Sequence, residues 1–129
     1  MIAARIFTGV LAGALLNGCA VDPEVCDDSF AFVVAVAVDA GGSLVSGLVI
    51  TDSVLRTGER FVVEQFNGFE PVGSYTVFSD NFESKVREAG DAVRVTGTDG
   101  SRGFGATFVF GSDGCHIRKI SGPDTVRVG

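Results

Sequence analysis

Residues 30–39 read FAFVVAVAVD, and residues 40–43 read AGGS. The first run has the two-residue period of an extended strand, and the second has the small residues of a turn. Val34, Val36 and Val38 fall on one face, with Val33, Ala35 and Ala37 on the other. The expectation is a strand with its large valines inward and its alanines outward. Residues 44–54, LVSGLVITDSV, give a second strand, with Gly47 as a bulge. Residues 60–66, RFVVEQF, give a third, and 74–79, SYTVFS, place Tyr75 and Val77 on one face. The stretch 82–88, FESKVRE, fits either a strand or one helical turn. Strands are expected again over 92–96, 106–110, 115–120 and 125–128, with a glycine-rich hairpin tip over 97–105, GTDGSRGFG. Short strands recurring between glycine turns, with no long amphipathic helix, predict an all-β antiparallel sandwich of about seven strands.

The chain has 129 residues, which is the size of one domain. Ten basic against 16 acidic side chains give a charge of −6. That balance argues against a nucleic-acid partner, which calls for a basic face. A hydrophobic fraction of 46% argues against disorder.

The N-terminal residues, MIAARIFTGVLAGALLNGC, carry Arg5 ahead of an apolar run over 6–16. The run is short of the roughly 20 residues a membrane-spanning helix needs. Its order is that of a secretory signal. Leu16-Asn17-Gly18-Cys19 resembles a bacterial lipobox, with the less usual Asn17 at its tolerant position. The resemblance implies a signal-peptide helix over 1–18, cleavage after Gly18, and a mature chain anchored to the membrane through an acylated Cys19. More than one acyl chain is needed for lasting attachment, at about 0.8 kcal/mol per buried methylene. Loss of Arg5 makes the mature chain one charge more negative. Ala20, by resemblance to Gram-negative lipoproteins, favours the outer membrane, with the domain facing the periplasm or the surface. Residues 19–28 form an acidic tether, and the folded domain spans 29–129.

With Cys19 lipidated, Cys26 and Cys115 remain. An even remainder in an exported chain suggests a disulfide. Closing about 90 residues contributes up to about 4.6 kcal/mol by loop-closure entropy. Free thiols, or a metal held by Cys26, Cys115 and His116, stand as alternatives. The metal is disfavoured because neighbours on a strand point to opposite faces.

Residues 30–51 resemble the opening of a carboxypeptidase regulatory-like domain, a transthyretin-like sandwich. The run 73–77, GSYTV, followed by Asn81-Phe82, is similar to that family's G-x-Y-x-V strand and the turn after it. Residues 113–117, DGCHI, resemble an ending found in small bacterial lipoproteins built on this domain, whose cysteine pairs with one ahead of the first strand. Cys26 stands at the matching position. The resemblance covers about residues 26–128. It implies a Greek-key topology and a non-catalytic folding, docking or spacer role. The stretch 85–110 is longer than the family pattern.

Phe66, Phe69 and Pro71 form a candidate partner-binding loop, or else rings that close one end of the sandwich. Asp99, Ser101 and Arg102 read as a surface loop, since no helix follows to make a phosphate cradle. His116 is expected to be an exposed strand histidine, with no Ser or Asp at informative spacing. Ser112 and Asp113 read as turn residues. Asp22, Asp27, Asp28 and Asp39 do not follow a calcium-loop spacing. Lys85 and Lys119 are weighed as isopeptide donors and set aside. No metal, cofactor or catalytic residue is expected. The expected function is that of a lipid-anchored cell-envelope module with a structural or protein-binding role. The alternatives are an inhibitor or accessory subunit of a periplasmic enzyme and a small-ligand carrier.

Overall fold

The structure, a computed structural model, describes residues 26–66 and 71–129. Residues 1–25, including Cys19, and residues 67–70, including Phe69, lie outside the described residues. Eight strands follow in order: β1 (Phe32–Val38), β2 (Val49–Val54), β3 (Arg60–Val63), β4 (Ser74–Ser79), β5 (Asp91–Thr98), β6 (Gly103–Ser112), β7 (Ile117–Ser121) and β8 (Thr125–Arg127). The ambiguous stretch after β4 is a 3₁₀ helix, Asp80–Lys85, whose Asn81 N–H donates to the Ser79 hydroxyl at 3.3 Å. The strands form two sheets, β4-β1-β8 and β3-β2-β5-β6-β7. The fold is therefore an all-β sandwich.

Pairing is antiparallel except between β1 and β8, which run parallel. No hairpin turn links these two strands, so nothing local forces them antiparallel. The first and last strands of the domain thus lie side by side.

The inward and outward faces of β1 are the reverse of the sequence expectation. Ala35 and Ala37 are buried, while Val34, Val36 and Val38 are half-buried on the outer face. β1 is the central strand of its sheet. Tyr75 stands opposite Ala35, and Phe78 opposite Val33. Bulky side chains on the flanking strand occupy the space over β1, so methyl groups suffice there. The core is a run of aromatic rings joining the two sheets. Phe78 stacks on Phe110 at 4.3 Å and 3°, Phe110 lies 5.4 Å from Phe108, and Phe61 and Phe82 stack at 4.3 Å beside Phe78.

The second strand is also shorter than expected. Leu44 makes only an isolated bridge to Val38, and the chain over 45–48 crosses from one sheet to the other. Val45 and Leu48 plug into the core along the way. Tyr75 holds this crossing: its hydroxyl donates to the Val45 carbonyl at 2.7 Å and accepts from the Leu48 N–H at 3.3 Å. Gly47, at φ +80°, serves the crossing and is not a bulge within β2.

Candidate functional site

The residues just ahead of β1 are fastened to the turn between β6 and β7. Cys26 and Cys115 are joined in a disulfide with Cα atoms 5.2 Å apart. Next to it, His116 lies between two carboxylates. Its Nδ1 is 2.6 Å from Asp80 Oδ2, and its Nε2 is 2.8 Å from Asp27 Oδ1. The Ser29 hydroxyl donates to the same Asp27 oxygen and lies 3.3 Å from His116 Nε2.

Local structure explains the placement. Asp113 Oδ1 accepts the N–H groups of Cys115 at 2.8 Å and His116 at 2.7 Å, an Asx turn that ends β6. Cys115 and His116 therefore sit in a turn and not on a strand, which corrects the opposite-face argument. Asp80 opens the 3₁₀ helix and accepts from the Ala31 N–H and the Ile117 N–H, each at 2.8 Å. That one carboxylate ties the start of β1, the start of β7 and the imidazole together. His116 is 19% exposed at its side chain, so the expected exposed strand histidine is also corrected.

The charges agree with the geometry. Hydrogen bonds to Asp80, then to Asp27, raise the His116 pKa above its ordinary 6.5. Burial works against the Asp80 charge, but the two backbone N–H groups and His116 outweigh it and hold its pKa below 3.8. Hydrogen bonds from Ser29, then His116, lower Asp27. When protonated, an imidazole whose two nitrogens both face carboxylates donates from each. Ser29, His116 and Asp80 thus have the order of a hydrolase triad. A general base must accept the serine proton at Nε2. Here that nitrogen faces Asp27, and the Ser29 hydroxyl donates its shorter hydrogen bond to Asp27 rather than to the imidazole. The arrangement clamps the segment ahead of β1 to the β6–β7 turn.

The other sequence candidates are spread over the surface. Phe66 is half-buried in a cluster with Phe30 at 5.6 Å and Phe32 at 6.1 Å, and those two rings are 43% and 48% exposed. Pro71 is exposed. Gln65, beside Phe66, accepts the Thr76 N–H at 2.8 Å and donates to the Thr76 carbonyl at 2.9 Å, pairing β4 as a strand would. In the glycine-rich segment the strands run further than expected, and only residues 99–102 form the tip. Asp99 Oδ1 accepts from the N–H groups of Ser101 and Arg102, each at 2.9 Å, so the tip satisfies itself. Ser112 is a buried strand end bonded to Glu83 at 2.7 Å and not a turn residue. Lys85 pairs with Glu59, and Lys119 with Asp124. Asp39 caps its own turn through Gly41 and Ser43. Among the described residues no group of three or more His, Cys, Asp or Glu side chains is placed to hold a metal.

Ser29, Asp80 and the His116 clasp were missed from sequence. Ser29 lies 87 residues from His116, and Asp80 lies 36 away. No periodicity signals such a meeting.

Together the fold and site define a class: an all-β sandwich whose leading segment is fastened to its β6–β7 turn by a disulfide and a histidine held between two carboxylates. Comparison of the chain with family models, with curated proteins and with solved structures finds no match.

Proposed function

We propose that the chain is an exported, lipid-anchored module of the bacterial cell envelope, acting without catalysis in a structural or protein-binding role. The supporting observation is the fastening of its leading segment. Cys26, seven residues past the lipobox cysteine, is bonded to Cys115, so a pull on a tether beginning at Cys19 enters the sandwich body directly. A disulfide also suits an oxidising compartment, such as the periplasm. The Greek-key, carboxypeptidase regulatory-like assignment draws support from β1 between β4 and β8, and β2 between β3 and β5. The non-catalytic role draws support from the Ser29 hydroxyl and His116 Nε2 both turning to Asp27. Labelling cells with palmitate tests the anchor. Label is expected in the full chain and is expected to vanish in Cys19→Ala, with a mature mass lacking residues 1–18. Label retained by Cys19→Ala, or a mature chain still carrying residues 1–18, contradicts it.

A second reading is favoured by the exposed rings of Phe30 and Phe32 beside Phe66. These offer an apolar contact for a protein partner, as in an accessory subunit of an envelope enzyme. Crosslinking in the native envelope with Phe32→Ser is the test. A crosslinked band that disappears supports this surface, and an unchanged set of bands removes it.

A further inference from the structure

The outer face of the five-stranded sheet has a composition unlike the rest of the chain. Ser53 on β2 pairs with Arg60 on β3 and, across its other edge, with Arg94 on β5; Arg94 in turn faces Thr107 on β6. The two arginines are thus two strand spacings apart, about 10 Å, in one row across the sheet. The neighbouring row holds Thr51 and Thr96. Arg60, Ser53, Arg94, Thr51, Thr96 and Leu55 line a shallow concavity of about 260 Å³. The outward positions of β2, β5 and β6 carry no carboxylate, in a chain with 16 acidic residues.

Neither arginine is neutralised. Arg56, Arg87 and Arg102 are ion-paired, but among the described residues no carboxylate lies within ion-pair distance of Arg60 or Arg94. Among the described residues, the one hydrogen bond of the Arg94 side chain is to the Thr107 hydroxyl, at 3.4 Å. Its guanidinium lies over Gly105. A Cβ there would stand 3.0 Å from Arg94 Cζ and 3.3 Å from Nε, so the glycine leaves the space in which the guanidinium rests.

We infer that this concavity binds an acidic glycan, with sugar carboxylates held by Arg60 and Arg94 and sugar hydroxyls met by Ser53, Thr51 and Thr96. The chemistry of each part supports this. Guanidinium forks match carboxylates in two parallel hydrogen bonds. Serine and threonine hydroxyls both donate and accept, as sugar hydroxyls do. Leu55, 57% exposed, gives an apolar edge for a ring face. Among the described residues no aromatic side chain lines the concavity to stack a base, which separates it from single-strand nucleic-acid grooves. The inference does not depend on the lipid anchor.

The test is calorimetric titration of the purified full chain with polygalacturonate, and with the same polymer fully methyl-esterified. Binding to the acid form is expected, weakening with added salt, with none to the ester. Arg60→Gln and Arg94→Gln are each expected to weaken it about tenfold, with thermal unfolding unchanged. Gly105→Ala is expected to weaken it without altering charge. Arg127→Gln, an exposed arginine on the other sheet, is expected to leave it intact. No binding to the acid form, equal binding of the ester, or equal loss with Arg127→Gln overturns the proposal. Tighter binding of polyaspartate or of single-stranded DNA overturns the glycan assignment in favour of that polymer.

Discussion

Asp52 is the residue with the least help from its surroundings. It points inward from β2 between Ile50 and Val54, is fully buried, and neither carboxylate oxygen has a hydrogen-bond partner among the described residues. Burial alone pushes its pKa from 3.8 to about 8. The unfolded chain therefore gives up this proton near pH 4, whereas the folded chain keeps it to about pH 8. Across that window the unfolded state binds fewer protons, so stability falls as pH rises, by about 1.4 kcal/mol per unit. Asp52→Asn removes the titration. The stability of the native chain minus that of the variant is expected to decline by this slope between pH 5 and 7 in denaturant melts, and parallel profiles would refute it. His116 behaves differently because its charged form has partners. Its raised pKa means its contribution is complete below 6.5 and lost as pH climbs through the folded value. Asp27 and Asp80 are lowered, so theirs is complete above 3.8 and lost as pH drops through their folded values. The clasp is thus fullest between 3.8 and 6.5. A proton-NMR titration is expected to place the His116 midpoint above 6.5, and Asp80→Asn is expected to lower it. A midpoint unmoved by Asp80→Asn counts against the clasp.

At the scale of elements, the strands were legible where glycine and turn residues punctuate them. β4, β5, β6, β7 and β8 lie within a few residues of their expected places. Which face goes inward was not legible for β1, because valines on one side and Val33 with two alanines on the other make both faces apolar. Only the rings on neighbouring strands decide between them. The crossing at 45–48 was hidden for a similar reason: LVSGLV is apolar enough for a strand, but Tyr75 captures its backbone. The start of β5 shows how such junctions are held. Asp91, 1% exposed at its side chain, accepts from Arg56 through Nε and Nη2, each at 2.9 Å, and from the Arg87 N–H at 2.9 Å, with Arg87 Nη2 also 2.9 Å away. The hydrogen bonds from Arg56, then those from Arg87, hold its carboxyl well below the usual range. Both arginines are partly in solvent, so their attraction is screened. The cost of disruption comes mainly from leaving a buried group poorly matched. Asp91→Asn is expected to lower stability by about 2 kcal/mol in urea melts at pH 7, with the m-value unchanged. A midpoint equal to that of the native chain would show that the staple carries no stability.

For the whole molecule, the decisive tie was open to simple cysteine arithmetic, whereas the charges around it were not. The parallel β1–β8 pair and the row of Arg60, Ser53 and Arg94 arise from register across distant segments, which no local pattern encodes. The Cys26–Cys115 bridge spans 89 residues and encloses nearly the entire domain, so it constrains most of the unfolded chain. A domain of about this size buries only about two-thirds of its unfolded surface, and total stabilities of single domains are about 5–15 kcal/mol. A long-loop disulfide contributing about 2–4 kcal/mol is then a large share. Removing it has a second, local effect. Among the described residues, the segment ahead of β1 would still be held by the Asp27–His116 pair, Ser29 beside His116, the Asp80–Ala31 bonds, Ala31 against the core and Phe30 on Phe66. The paired variant Cys26→Ser, Cys115→Ser is therefore expected to lose about 3 kcal/mol in urea melts. Hydrogen-exchange protection is expected to fall first at Ala31 and Ile117, whose N–H groups both end on Asp80, while the β5–β6 ladder keeps its protection relative to the new global limit. If Ala31 and Ile117 stayed as protected as β5 and β6, the fastening would be redundant, and the sandwich would hold its own leading segment without the bridge.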